Sequence, residues 1–295
     1  MALLSYFTAA VLAASTPPPS QLLPQVLDPT AIQRALLPQA LELLSDEKPC
    51  ALFYDMDYFR ETLLAFKDAF PPETMHAVAM KANPLAGCLL LAKELGFGCE
   101  VASPCELEHA LRLGFPAERI VMDSPAKTRR DLRNALAAGV QLNADNFDEL
   151  ARINEILAAE HGGGGAKGLG TCKSRIGVRV NPQYGEGKIA ATGTIAPTSK
   201  FGVPLMECKQ ELLEAYERYA WLTAVHCHVG SQGCELELLV RGAKSVIVRP
   251  RERLQPSLCY ALAPAVPCLL VLRCVSLHAL TGRLLVPLAC AGPRG

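Results

Sequence analysis

No Cys-x-x-Cys pair occurs in this chain although it holds 12 cysteines. That absence removes both a zinc ribbon and a thioredoxin-type redox motif. Cys50, Cys88, Cys99, Cys105, Cys172, Cys208, Cys227 and Cys234 are scattered without paired spacing, so free thiols in a reducing compartment are expected. Neither charge sign is in excess, because 29 basic and 29 acidic side chains leave a formal net charge of zero. Nothing therefore indicates nucleic acid or an anionic membrane as a partner. The first 14 residues, Met1 to Ala14, are uncharged and mostly apolar. They lack the positive start of a signal peptide and the arginines of an organelle transit peptide. A short helix stopped by Pro17-Pro18-Pro19 fits them as well, which leaves the cytoplasm and the plastid both open. No apolar stretch elsewhere reaches membrane-spanning length.

What is present suits an enzyme-sized globular chain. Its 295 residues are half hydrophobic and one-fifth charged, enough for one large barrel or two ordinary domains. The charge balance hides an asymmetry: from Val248 to Gly295 there are six arginines, no lysine and one acid, Glu252. The preceding 247 residues carry the other 23 basic and 28 acidic side chains.

From Ala51 onward, short apolar runs alternate with longer segments of helical spacing. Strands are predicted over Ala51–Tyr54, His76–Met80, Gly98–Ala102, Arg119–Met122, Val140–Asn143, Ile176–Val180 and Leu222–His228. Helices are predicted over Asp57–Phe70, Leu85–Leu95, Pro104–Leu113, Thr128–Ala138 and Asn146–Ala159. Such alternation implies an α/β fold with a mainly parallel sheet and right-handed crossovers. With the first run set aside as a lead-in, six strands of a (β/α)8-type barrel are legible, two short of closure. The glycine run within His161–Gly170 lacks the Gly-Lys-Ser/Thr ending of a P-loop and follows a helix, so it reads as a connection. Asn181–Gly202 is a long loop rich in Gly, Pro, Thr and Lys, and loops of that length are often functional.

Lys81 stands where the run His76-Ala77-Val78-Ala79-Met80 meets Ala82-Asn83-Pro84. In a parallel barrel the carboxyl ends of strands carry the chemistry. A partly desolvated lysine there would have a lowered pKa and could form a Schiff base with an aldehyde. The alternative is a surface lysine just past a strand. His226 and His228 share one side of their strand and could be read as a metal pair. No carboxylate or further histidine is close in sequence, so no metal site is expected.

Four segments together resemble the ornithine, diaminopimelate and arginine decarboxylases with an alanine-racemase-like barrel, which use pyridoxal 5'-phosphate (PLP). They are Ala79-Met80-Lys81-Ala82-Asn83; Gly98-Cys99-Glu100-Val101-Ala102-Ser103 with Glu106-Leu107; Arg179-Val180-Asn181-Pro182 leading to Ser199-Lys200-Phe201-Gly202; and His226-Cys227-His228-Val229-Gly230-Ser231-Gln232. The resemblance implies that Lys81 bonds PLP through its amine, that His228 stacks on the cofactor ring, and that Ser231 hydrogen-bonds its phosphate. It places Glu100, where many relatives have aspartate, and Arg179 in a polar cluster near the ring. Lys200 and Phe201 would frame the entrance. Gly-Ser-Gln leans toward diaminopimelate decarboxylases, which serve lysine biosynthesis, over the ornithine and arginine decarboxylases of polyamine synthesis. A small amino acid is the implied substrate, and complete relatives form homodimers.

The family's later features are not found after Gln232: a glycine-rich phosphate loop, a Glu-Pro-Gly-Arg segment, and a β-rich domain with a Cys-Asp pair and a tyrosine. The resemblance stops near Lys244 to Val248, where the composition changes. The sequence therefore divides into a segment over 1–49, a partial barrel domain over 50–247, and an Arg/Pro/Leu/Cys-rich tail over 248–295. Leu269–Leu277 and Arg283–Cys290 could form strands within that tail. The coincidence of motif loss and composition change points to a truncated gene product or an erroneous gene model, with impaired catalysis expected. A barrel-only PLP protein and a non-catalytic regulatory homologue are the other readings.

Overall fold

The computed structural model describes residues 38, 42–47, 54–160, 173–183, 199–230, 236–246 and 271–272. It divides into two compact units, Met1–Thr74 with Leu277–Gly295, and Met75–Ser276. In the first unit, helix α1 (Met56–Asp68) begins where the Asp55 carboxylate accepts the Tyr58 N–H at 2.9 Å. Asp57 in the first turn and Lys67 in the last suit the helix dipole. The predicted lead-in strand Ala51–Tyr54 lies, except for Tyr54, outside the described residues.

The second unit is built on one parallel sheet. Its strands are β1 (Ala77–Ala79), β2 (Gly98–Val101), β3 (Ile120–Met122), β4 (Gln141–Ala144), β5 (Ile176–Asn181), β6 (Val203–Pro204), β7 (Leu222–Cys227) and β8 (Val271–Leu272). The order is β1-β2-β3-β4-β5-β7-β8, with β6 pairing β5 off this path. Helices α2 (Ala86–Glu94), α3 (Pro104–Arg112), α4 (Arg129–Ala138), α5 (Phe147–Glu160), α6 (Lys209–Arg218) and α7 (Leu236–Val246) form the crossovers. All six predicted barrel strands form, as do the predicted helices. β8 falls inside the predicted run Leu269–Leu277. The first barrel strand is shorter than expected, because Met80–Ala82 turns into a 3-10 helix.

Register decides which residues share a face. Directly paired residues in a parallel ladder point the same way, and successive residues alternate. Glu100 pairs with Val121, and Val121 with Gln141. Two steps farther along those strands come Asp123 and Asn143. Asn143 pairs with Gly177, and Arg179 with His226. One face at the carboxyl ends thus carries Glu100, Asp123, Asn143, Asp145, Arg179, Asn181, His226 and His228, all buried. The opposite face carries Val78, Met80, Cys99, Val101, Ile120, Met122, Leu142, Ala144, Val178 and Val180, also buried. Each large apolar side chain hidden there contributes roughly 1.5–3 kcal/mol.

The polar face is the inside of a curled sheet. His226 Nδ1 of β7 lies 3.4 Å from Asp123 Oδ1 just beyond β3. Three strand spacings separate those strands in the sheet order, about 14 Å if the sheet were flat. Only strong curvature, as in a barrel, brings the two side chains together. Gly177 on this inner face leaves the needed room: a Cβ there would stand 2.7 Å from Asn143 Oδ1. Among the described residues β8 and β1 end the sheet without pairing each other.

Candidate active site

Lys81 enters the site from the turn after β1. Asn83 fixes that turn: its amide donates to Cys88 Sγ (3.4 Å) and its carbonyl accepts the Leu85 N–H (3.1 Å). A ring nitrogen of His109 on α3 lies 3.1 Å from the Pro84 carbonyl. The side chain of Lys81 is exposed, which corrects the expectation that burial would desolvate it. Lys81 sits in the 3-10 turn Met80–Ala82 rather than on the strand itself. Its charge still reaches inward and helps keep both His226 and His228 from accepting a proton.

Glu100 is buried in β2, on the face shared with the strand ends around it. The loop that follows is tied down by Glu106, whose carboxylate accepts the Ala102 N–H at 2.6 Å, while Ser103 accepts the Glu106 N–H at 3.2 Å. Glu106 therefore shapes the β2–α3 turn. Arg179 of β5 is buried with its guanidinium 3.6 Å from Asp145 and its Cζ 5.0 Å from the centre of the Phe201 ring. Lys200 Nζ lies 5.3 Å from the same ring, so the turn 199–202 packs onto the arginine. Gly202 has φ +73 there, and a Cβ would press within 3.0 Å of Arg179 Cγ. A glycine is required for that approach.

His226 and His228 follow each other along the inner face. Burial pushes His226 down to about 4, with the Asp123 carboxylate opposing and Arg179, Lys127 and Lys81 adding to the drop. Burial likewise takes His228 to about 3, reinforced by Arg179, Lys81 and His226. Both rings are neutral at physiological pH. Burial alone would raise the Asp123 carboxyl, but His226, Arg179 and Lys127 hold it below the usual range. Asp145 is the reverse case: burial raises it, against the pull of Arg179 and the Gly202 N–H. Cys99 and Cys227 are pushed up to about 12 by burial and stay protonated.

The structure thus brings Lys81, Arg179 and His228 to one end of the barrel, with Glu100 on the same inner face. Ser231 lies outside the described residues, as does Gln232. Sequence reasoning missed Asp123, Asn143 and Asp145. Its predicted strands stopped at the last apolar or amide residue, whereas the two-residue period carries one step beyond Val121 to Asp123 and from Asn143 to Asp145. The residues fit a polar, aldehyde-bearing group. A lysine stands exposed at the end of β1, two neutral rings feel its charge, and a buried guanidinium lies on the inner face. His226 Nε2 and Asn143 Nδ2 are buried with no hydrogen-bond partner among the described residues. Buried donors or acceptors in that state call for a partner, and a bound ligand would supply one.

A family model described as "Pyridoxal-dependent decarboxylase, pyridoxal binding domain" matches residues 56–253. Among curated proteins, the chain is 34% identical over 185 residues to a diaminopimelate decarboxylase of Aquifex aeolicus, covering 61% of this chain and 40% of the relative. It is 31% identical over 209 residues to one of Helicobacter pylori, covering 70% and 49%. Among solved structures, Helicobacter pylori diaminopimelate decarboxylase complexed with L-lysine superposes with a TM-score of 0.59 at 28% identity, covering 71% of this chain and 51% of that one. The fold is also that of a lysine/ornithine decarboxylase from Vibrio vulnificus, with a TM-score of 0.54 at 22% identity, covering 75% and 51%. The chain spans about half, or less, of the length of the relatives it matches.

Proposed function

The chain belongs to the pyridoxal-dependent decarboxylases through their pyridoxal-binding domain, and from that we propose that it serves the decarboxylation of an amino acid, meso-diaminopimelate first among candidates. One observation carries the reading: a lysine at the rim, two neutral buried histidines and a buried arginine meet at the carboxyl end of one barrel. Residues 50–247 are the cofactor-binding domain in this reading, between the segment 1–49 and the tail 248–295.

Lys81, exposed after β1, would hold PLP covalently through its amine. His228 would lie against the ring, where a neutral imidazole adds no charge to compete with the cofactor's own. Arg179 is kept in place from two sides, by Asp145 and by Phe201, and would lie in the polar cluster near the ring, while Ser231 would hydrogen-bond the phosphate. Glu100 would supply a carboxylate to the same polar cluster. When bound, PLP supplies an electron sink for the pair left on carbon as carbon dioxide departs. The chain's part is to hold, orient and shield that group. The inner face is buried, so its charges interact in a medium that screens them less than water does.

Diaminopimelate is favoured by the names of the curated relatives and by the Gly230-Ser231-Gln232 ending. The test is to incubate the full chain with PLP and, separately, meso-diaminopimelate, L-ornithine and L-arginine, and to measure carbon dioxide release with its amino-acid or amine product. Lysine and carbon dioxide in equal amounts from diaminopimelate alone are expected, at a rate lowered by the later motifs not found after Gln232. Release from ornithine or arginine instead would overturn the substrate. Bound PLP with no release from any of the three would overturn the activity and leave a non-catalytic binder.

A further inference from the structure

Lys127 and Glu149 form an ion pair, Nζ to Oε2 at 2.7 Å, with both side chains wholly buried. Lys127 precedes α4 in the turn after β3, and Glu149 belongs to the first turn of α5 after β4. The other bonds of the pair go to the backbone of these two turns. Lys127 Nζ donates to the carbonyl of Ser124 at 2.5 Å, one residue past Asp123. Glu149 Oε2 accepts the N–H of Asp145 at 2.9 Å, and Oε1 accepts that of Lys127 at 3.2 Å. Arg152 donates to the Lys127 carbonyl at 3.1 Å and brings a second cation within 3.9 Å of Glu149. A buried ion pair adds little stability over a well-packed apolar pair, so its place at these two turns has another use.

We infer that Lys127 and Glu149 are positioning residues of the cofactor site: by locking the turns after β3 and β4 together they hold Asp123 against His226 and Asp145 against Arg179. The two arms are short and separate. One runs from Lys127 through Ser124 to Asp123 and the His226 ring at 3.4 Å. The other runs from Glu149 through the Asp145 N–H to the Arg179 guanidinium at 3.6 Å. Both end on inner-face groups beside Lys81 and His228. Besides its effect through the backbone, the Lys127 charge acts directly on Asp123, Asp145 and His226.

The inference rests on the proposed function for its purpose, but it is read in the chain without cofactor. His226 faces Asp123 after β3, Arg179 of β5, Lys81 after β1, Lys127 and its own neighbour His228, with Glu100 and Asp145 on the same inner face. Its imidazole is followed by NMR between pH 3 and 8 in labelled full-length chain carrying Lys127→Met with Glu149→Leu. Burial pushes the wild-type ring down to about 4. In the double variant the midpoint is expected to fall, because release of Asp123, whose carboxylate supports the protonated ring more strongly than Lys127 opposes it, outweighs the loss of the Lys127 charge. PLP affinity, read by cofactor fluorescence, is expected to weaken about tenfold or more, as when groups that orient metal ligands are removed. The thermal unfolding midpoint is expected to fall by several degrees, because the Asp145 and Lys127 N–H groups lose the carboxylate that accepts them. A folded double variant whose His226 midpoint is unchanged or raised would overturn the inference, as would unchanged PLP affinity in a chain that binds PLP. If the double variant does not fold, Lys127→Gln with Glu149→Gln, which removes both charges together and keeps side-chain carbonyls for the turn N–H groups, is judged by the same two readings. Wild-type chain that binds no PLP would sink the proposed function, while the His226 titration still decides this inference.

Discussion

Met122 and Asp123 are chain neighbours, as are Leu142 and Asn143, yet each pair is split between the two faces of the curled sheet. The outer face is apolar and contributes the transfer free energy of buried Val, Ile, Leu and Met. The inner face buries carboxylates, a guanidinium and two histidines, groups that cost free energy to remove from water unless paired. One face therefore maintains the barrel, and the other draws on that stability to hold charges in fixed places. The separation predicts that mutations on the two faces, one residue apart, fail in different assays.

The largest contrast is at the rim. Lys81→Ala should abolish covalent cofactor attachment, seen as complete loss of the bound-cofactor absorbance band. Because the side chain is exposed, unfolding free energy should shift by no more than about 0.5 kcal/mol. A variant that keeps the band would break the assignment of this lysine. The outer face should behave in the opposite way. Leu142→Ala removes a fully buried side chain and should cost about 2–5 kcal/mol in urea unfolding, with the PLP affinity of the folded molecules unchanged.

Acid should attack the inner face first. The midpoints of His226 and His228 lie at about 4 and about 3, below the ordinary 6.5, so the unfolded chain takes up protons before the folded one. Stability is fully present above about pH 6.5 and falls as the pH drops toward 4. The expected slope is about 1.4 kcal/mol per pH unit for each histidine. Urea midpoints measured without cofactor across this window check it, and His226→Gln should remove about half of the slope. The Asp123 carboxyl, held low, begins to add its own loss only below its ordinary range. The smallest effect belongs to neither face: Asp55→Ala deletes the cap of α1 and should cost about 1 kcal/mol, leaving PLP binding untouched.

Much of this was legible in the sequence because a parallel barrel writes its strands as apolar runs. Six runs became six strands, and the residues Lys81, Glu100, Arg179 and His228 stood at or near their carboxyl ends. Apolarity marks only the outer face. For that reason the predicted strands over Arg119–Met122 and Val140–Asn143 ended before Asp123 and Asp145, whose places follow from register. The brace between Lys127 and Glu149 was out of reach, since its partners are 22 residues apart on separate turns and no local spacing pairs them. The exposure of Lys81 was equally hidden, because a single 3-10 turn decides it.

The most direct test of this division of labour is to load the full chain with PLP, reduce it with borohydride to fix the cofactor to the amine it is bonded to, and map the label by peptide mass spectrometry. One modified residue, Lys81, is expected. A label on Lys127, Lys200 or another lysine, or no label on folded and PLP-exposed chain, would contradict it.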